Sequence, residues 1–220
     1  MTDNALLGGV LKLAPFSTPW KRRRCRRLAR EGGDALLARP PARAHCHVLW
    51  IGLLAFGYLL SHPPSPLWVV APSLVLFAAL AVIVVFDIRY FLIPDGPVLL
   101  LLLAGLATGY ALDPGLLPER LIAAAGAFAA LRLAAWAYRS WRGSEGLGPG
   151  DARLFALMGL WLGAPALPGS LFVAALSGLV SALILLRANG PGQARQALPF
   201  GPHLALAFWL AWTLGPVELG

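Results

Sequence analysis

Two aspartates stand where an apolar chain has little use for charge. Asp87 closes the run "LFAALAVIVVFDIRYFLIPD", and Asp151 stands between the glycine-rich "GLGPG" and the apolar "ARLFALMGLWLG". A carboxylate at the centre of a membrane helix costs about 3 kcal/mol on insertion scales and less near the interface, and such residues face polar cavities rather than lipid. Each aspartate has a local reading: Asp87 caps a helix end or pairs with Arg89, and Asp151 is an N-cap behind a glycine loop. Together they have a chemical one. When two carboxylates lie within hydrogen-bond reach, repulsion splits their titration, so one stays protonated while the other ionises. The ionised partner takes a proton from water and the protonated one polarises a carbonyl, which is the acid–base hydrolysis of an amide. Asp87 and Asp151 are therefore the candidate catalytic pair.

No serine–histidine–acid or cysteine–histidine set competes with it. His45, His47, His62 and His203 fall in flanks and loops without metal-ligand spacing, and Cys25 and Cys46 form no CxxC pair. Neither a zinc site nor a disulfide framework is indicated, so no metal and no other cofactor is expected. Gly146, Gly148 and Gly150 leave the loop before Asp151 with little side-chain bulk. Their backbone is expected to take positive φ and to admit another chain closely, which makes Gly148 and Gly150 loop-shaping or substrate-binding positions. Arg89 is grouped with them as a substrate-binding or loop-shaping position: it holds the Asp87 loop at lipid phosphates or tunes its charge, or else it is a topology anchor.

The elements that must carry these residues are membrane helices. The chain has 220 residues, of which 58% are hydrophobic and 13% charged, against roughly 25% charged in soluble domains; its mean hydropathy is +0.71. Apolar segments are expected at 47–60, 67–86, 97–112, 121–138, 152–163, 170–186 and 203–217, separated by turn-rich linkers such as "SHPPSP", "DPGLLPER", "GAPALPGS" and "NGPGQAR". The first and fifth are short for a crossing. The fold class is all-α, a polytopic bundle of about six or seven transmembrane segments. A basic cytoplasmic segment, 1–46, precedes a membrane domain, 47–220. No cleavable signal peptide is expected, because the first strong apolar run follows a basic stretch.

The basic segment holds "KRRRCRRLAR". Beside a first span it reads as a contact with anionic lipid headgroups and a topology signal, not a nucleic-acid patch. With the N-terminus cytoplasmic and seven crossings, ten basic residues lie inside before the first span, joined by Arg89, Arg139, Arg142, Arg153, Arg187 and Arg195; Arg120 alone lies outside and Arg132 within a span. That orientation puts the connections at 86–94 and 143–151 on the cytoplasmic face, so both aspartates reach the same depth.

The stretches "FDIRYFLIPD", "GLGPGDARLFALMGLWLG" and "LPFGPHLALAFWLA" occur in order and correctly spaced. In this the chain resembles the type IV prepilin peptidases, intramembrane-type aspartic peptidases with a GxGD motif, from about residue 67 to residue 212. The resemblance implies that Asp87 and Asp151 are the catalytic pair. It further implies cleavage of the short basic leader of prepilin-like precursors, pilins or pseudopilins, at the cytoplasmic face of a bacterial inner membrane. Asp95 matches the polar residue after the isoleucine–proline pair and is expected to cap the next helix. Many bacterial members also carry a cytoplasmic domain with paired CxxC motifs and N-methylate the new terminus. Those pairs are missing here, so the resemblance implies leader cleavage without a zinc-bearing domain and gives no support to methyl transfer. Two other classes compete: a transporter whose acids form a cation or proton site, and a catalytically inactive assembly protein of a pilus or secretion system. Arg132 either snorkels to the interface or partners a buried acid, and Trp136, Trp141, Trp209 and Trp212 read as interfacial belt or packing residues.

Overall fold

In bilayer hydrocarbon every backbone amide and carbonyl must be satisfied within the chain, so apolar segments of this length become helices. The computed structural model describes residues 67–143, 146–189 and 198–215. The basic segment, the expected span at 47–60, both cysteines and His45, His47 and His62 lie outside the described residues. Within them the chain forms α1 (Leu67–Tyr90), α2 (Asp95–Leu112), a short 3-10 turn (Pro114–Leu116), α3 (Leu117–Arg142), α4 (Pro149–Leu162), α5 (Ala166–Asn189) and α6 (Gly201–Leu214). The six expected apolar segments from 67–86 onward are helical over their described residues, apart from Gly163 and Gly215 at segment ends, and no strand occurs among the described residues. This is an all-α polytopic bundle of a multi-pass membrane protein.

Prolines and glycines set the boundaries. Proline occupies the first turns of α3, α4 and α6, where its missing N–H has no intrahelical acceptor to lose. Gly143 closes α3 in the left-handed conformation, φ 68°, its amide donating to the Arg139 carbonyl at 2.9 Å.

The six helices divide by length. Among the described residues α1, α2, α3 and α5 supply helices long and apolar enough to cross a membrane. Helices α4 and α6 have 14 residues each, about 21 Å at 1.5 Å per residue, short of the roughly 30 Å of hydrocarbon. The short pair forms the centre. Leu154, Met158 and Leu160 of α4 and Leu204 and Phe208 of α6 are fully buried, while the long helices turn Leu99, Leu103, Ile122, Leu133, Leu179 and others outward.

Small residues and tryptophan lock α4 in place. A Cβ on Gly159 would stand 2.8 Å from the Ala123 backbone of α3, so glycine lets the two helix backbones approach closely. The Trp161 indole lies over Gly105, where a Cβ would come within 2.4 Å of Nε1, and that N–H donates to the Leu101 carbonyl of α2 at 2.9 Å. Trp161 also meets Trp212 of α6 edge-on at 5.2 Å. These contacts fix the axial position of α4, and hence the depth of its first residues. The C-terminal end of α1 and the N-terminal ends of α2, α4 and α6 share one end of the bundle, because Asp87 meets Gly201 and Ile93 meets Gly150 there.

Candidate active site

Asp87 sits one turn before the end of α1 and is 6% exposed. The helix stops just beyond it. Phe91 takes φ 51°, a left-handed conformation uncommon for a residue with a side chain, and its amide donates to the Asp87 carbonyl at 2.9 Å. The reversed chain carries Ile93 inward, 4% exposed, and Pro94 then starts α2.

Ile93 is the wall against which the glycine loop rests. A Cβ on Gly150 would lie 3.0 Å from the Ile93 Cβ, and one on Gly146 would lie 2.6 Å from the Tyr138 ring. The glycines serve close approach, as the sequence suggested, but not through positive φ. Gly148 has φ −74°, and among the described residues the left-handed glycines are Gly143, Gly163 and Gly215. Lack of a side chain, not a special dihedral, is what this loop needs.

Asp151 is not the N-cap of its helix. Gly148 is, and Asp151 is the third residue of α4, its Oδ2 accepting the Gly148 amide at 3.0 Å while its own amide donates to the Gly148 carbonyl at 3.2 Å. The reciprocal arrangement turns the carboxylate back over the first turn. Asp151 is 8% exposed and precedes the apolar body of α4, outside the four crossing helices.

The Asp87 carboxylate is held from the far end of the chain. Its Oδ2 accepts the Gly201 amide at 2.9 Å, from the first residue of α6. A Cβ on Gly201 would stand 2.6 Å from that oxygen and 3.0 Å from Cγ. Each aspartate thus receives one amide from a helix N-terminus, where the peptide dipoles present positive potential.

The two carboxylates are close enough to repel. Burial first, and the neighbouring Asp87 charge second, raise the Asp151 pKa to about 7, against the opposing pull of the Gly148 amide. A carboxyl group protonated near neutrality beside a second carboxylate is the electrostatic arrangement that acid–base hydrolysis requires.

The remaining sequence expectations divide. Arg89 is exposed. Asp95 does not cap α2 through its side chain, since the N-cap is Pro94 without a side-chain bond. Its carboxylate pairs instead with Arg153 of α4, tying the two helix starts together beside the site. Arg132 is exposed on α3. Trp209 is buried, while Trp136 and Trp141 face outward. His203 belongs to no loop: it lies in the first turn of α6, fully buried, with Nδ1 2.8 Å from the Ser177 Oγ. No group of three or more histidine, cysteine, aspartate or glutamate side chains that could hold a metal occurs among the described residues.

Gly201 is the site residue that sequence reasoning missed. The Phe200–Gly201–Pro202 element was visible as a motif, but its partner lies 114 positions away.

Residues 74–183, which include both aspartates, match the profile of the type IV leader peptidase family. The chain is 38% identical over 159 residues to a prepilin leader peptidase/N-methyltransferase of Pectobacterium carotovorum subsp. carotovorum, covering 72% of this chain and 55% of that one. It is 33% identical to the protein of the same name from Neisseria gonorrhoeae, covering 74% and 53%. With the leader peptidase HopD of Escherichia coli it shares 34% identity, covering 64% of this chain and 92% of that one. The chain spans about half the length of the relatives whose names carry both activities. No solved structure matches it.

Proposed function

The chain belongs to the type IV leader peptidase family, and on that premise we propose that it is a membrane aspartic endopeptidase removing the basic leader of prepilin-like precursors, with Asp87 and Asp151 as its catalytic pair. One observation carries the reading: two buried carboxylates meet at one end of the bundle, each on a helix-terminal amide, with the Asp151 pKa near 7. In the proposed reaction Asp151 holds the proton shared by the pair and Asp87 accepts one from a water. The resulting hydroxide attacks the scissile carbonyl carbon while the Asp151 proton is donated to the carbonyl oxygen. Collapse of the tetrahedral intermediate breaks the C–N bond. The leaving amine takes the proton held on Asp87, and Asp151 recovers its own from the hydroxyl of the intermediate. Hydrogen-bond donors already in place cost no reorganisation during this sequence.

The proposed substrate suits the fold. A precursor with a basic leader ahead of an apolar helix rests its scissile bond near the interface, and the site lies at an end of the bundle rather than midway along it. The basic run before residue 47 would hold anionic lipid headgroups, with the site end cytoplasmic in a bacterial inner membrane. Cleavage is the activity proposed; the carboxylate pair offers nothing to methyl transfer.

The test is co-expression with a type IV prepilin, followed by mass analysis of the new N-terminus, which reads cleavage and methylation separately. Asp87→Asn and Asp151→Asn should each abolish cleavage at matched membrane levels, and the double variant should be little worse than either, because the pair acts as one unit. Substantial cleavage by either single variant overturns the assignment of that residue.

A further inference from the structure

A histidine in the buried first turn of an apolar helix needs a reason. An imidazole taken out of water loses free energy unless its ring nitrogens find partners, and leucine or phenylalanine would fill the space without that cost. His203 is 0% exposed and Ser177 8%, and they meet at 2.8 Å across the α5–α6 interface. The bond holds in either tautomer: the serine hydroxyl donates to an unprotonated Nδ1, or Nδ1–H donates to Oγ.

The position of this bond is its interest. His203 lies two residues beyond Gly201, whose amide donates to Asp87. The His203 and Leu204 amides both donate to the Phe200 carbonyl at 3.1 Å, so the histidine belongs to the turn that presents the Gly201 N–H. On the α5 side, the His203 and Phe200 rings both lie 3.7 Å from where a Gly178 Cβ would stand, and they approach each other at 6.4 Å between centroids. One directional bond and two ring contacts therefore set the rotation of the first turn of α6 against α5. Ring packing alone tolerates sliding; a hydrogen bond specifies angle and depth.

Resting on the peptidase reading above, we infer that Ser177 and His203 are positioning residues: their bond aims the Gly201 amide at Asp87. The contact is a tether between α5 and the catalytic end of α6.

The test exploits an isosteric pair. Ser177→Thr and Ser177→Val add the same volume at one site, so their difference reads the hydroxyl and not the packing. The Val variant should cleave about tenfold more slowly in kcat than the Thr variant, with KM little changed, since substrate binding does not use the tether. A second readout is independent of catalysis. Hydrogen exchange at the Gly201 amide should be about tenfold faster in Ser177→Val than in Ser177→Thr. Ser73→Ala is the control: it removes another side-chain bond to α6, part-buried, from the Trp212 indole at 2.8 Å, but at the opposite end of that helix. It should leave Gly201 exchange and kcat unchanged.

Equal kcat in the Thr and Val variants, or Gly201 exchange that does not distinguish them, overturns the tether. A wild-type protein that cleaves no prepilin overturns the peptidase reading instead, and the exchange comparison then decides the tether alone.

Discussion

The Gly201→Ala substitution isolates the amide that α6 delivers to Asp87. Gly201 has negative φ, being absent from the left-handed glycines, so alanine meets no backbone strain there. Its only conflict is the methyl group, which would lie 2.6 Å from the Asp87 Oδ2. Ordinary contact between a Cβ and an oxygen begins at about 3.4 Å, so the helix start must retreat by about 0.8 Å. A bond now 2.9 Å long would stretch to about 3.7 Å, beyond hydrogen-bonding range. A hydrogen bond to a charged group contributes about 1.5–3 kcal/mol, and each ~1.4 kcal/mol is tenfold in rate. Gly201→Ala should therefore lower kcat by about 10- to 150-fold. Alanine favours helix by up to ~1 kcal/mol over glycine, so the loss should appear without a fall in membrane level. The assay is single-turnover cleavage of a prepilin in detergent micelles, normalised to folded enzyme. Gly126→Ala is the matched control, because a Cβ there meets nothing within 4 Å and cleavage should be unaffected. A Gly201→Ala enzyme within twofold of wild type would refute the reasoning, since the amide would then contribute nothing to the reaction.

Three further outcomes follow from the same geometry. Because the Asp151 pKa is raised to about 7, its proton is lost as pH rises through that value; if it is the acid, kcat should fall on the alkaline side with a midpoint near 7, and a flat profile to pH 9 would exclude that role. Chelators should leave cleavage and folding unchanged and no stoichiometric zinc should co-purify, whereas one tightly bound zinc per chain would show that Cys25, Cys46 and the histidines were misread. Reporter fusions at Ser144 and Gly220 should score on opposite membrane sides, and the same side for both would break the seven-span topology.

Hydropathy made the six described helices legible because charge is so scarce that, Arg132 within α3 aside, charged residues fall near helix ends. It could not rank them. The run that becomes central α4, "ARLFALMGLWLG", is no more apolar than peripheral α1 or α5. Its place follows from Gly159 against Ala123 and Trp161 over Gly105, contacts that exist only after folding. The aspartates were legible for the opposite reason: a carboxylate in such surroundings is conspicuous alone. Their donors were not, because a backbone amide leaves no mark in a sequence beyond the glycine that makes room for it. Glycine itself was ambiguous. Gly148 and Gly150 suggested unusual dihedrals, whereas Gly150 and Gly201 serve clearance, and one-dimensional information does not separate the two uses. His203 was read as the flank of the segment 203–217, whereas the helix begins two residues earlier at Gly201, since proline just inside a helix start is a beginning as readily as a turn.

The alternation of helix direction has a chemical consequence. With α1 ending where α2, α4 and α6 begin, Asp87 and Asp151 share an end with the N-termini of α4 and α6. Burial alone would leave both carboxyls neutral and supply no base. Amide donors and helix dipoles alone would ionise both and supply no acid. The site combines the two influences: each carboxylate takes one helix-terminal amide, both are more than nine-tenths buried, and they repel each other. At Asp151 burial and repulsion outweigh the Gly148 amide, and the balance rests near 7. Moving α6 outward by one residue, about 1.5 Å, would withdraw the Gly201 amide from Asp87, and moving α4 would carry Asp151 with its own Gly148 amide away from Asp87, so either shift upsets that balance. The tight packing of α4 and α6 is thus what sets the protonation state on which the proposed hydrolysis depends.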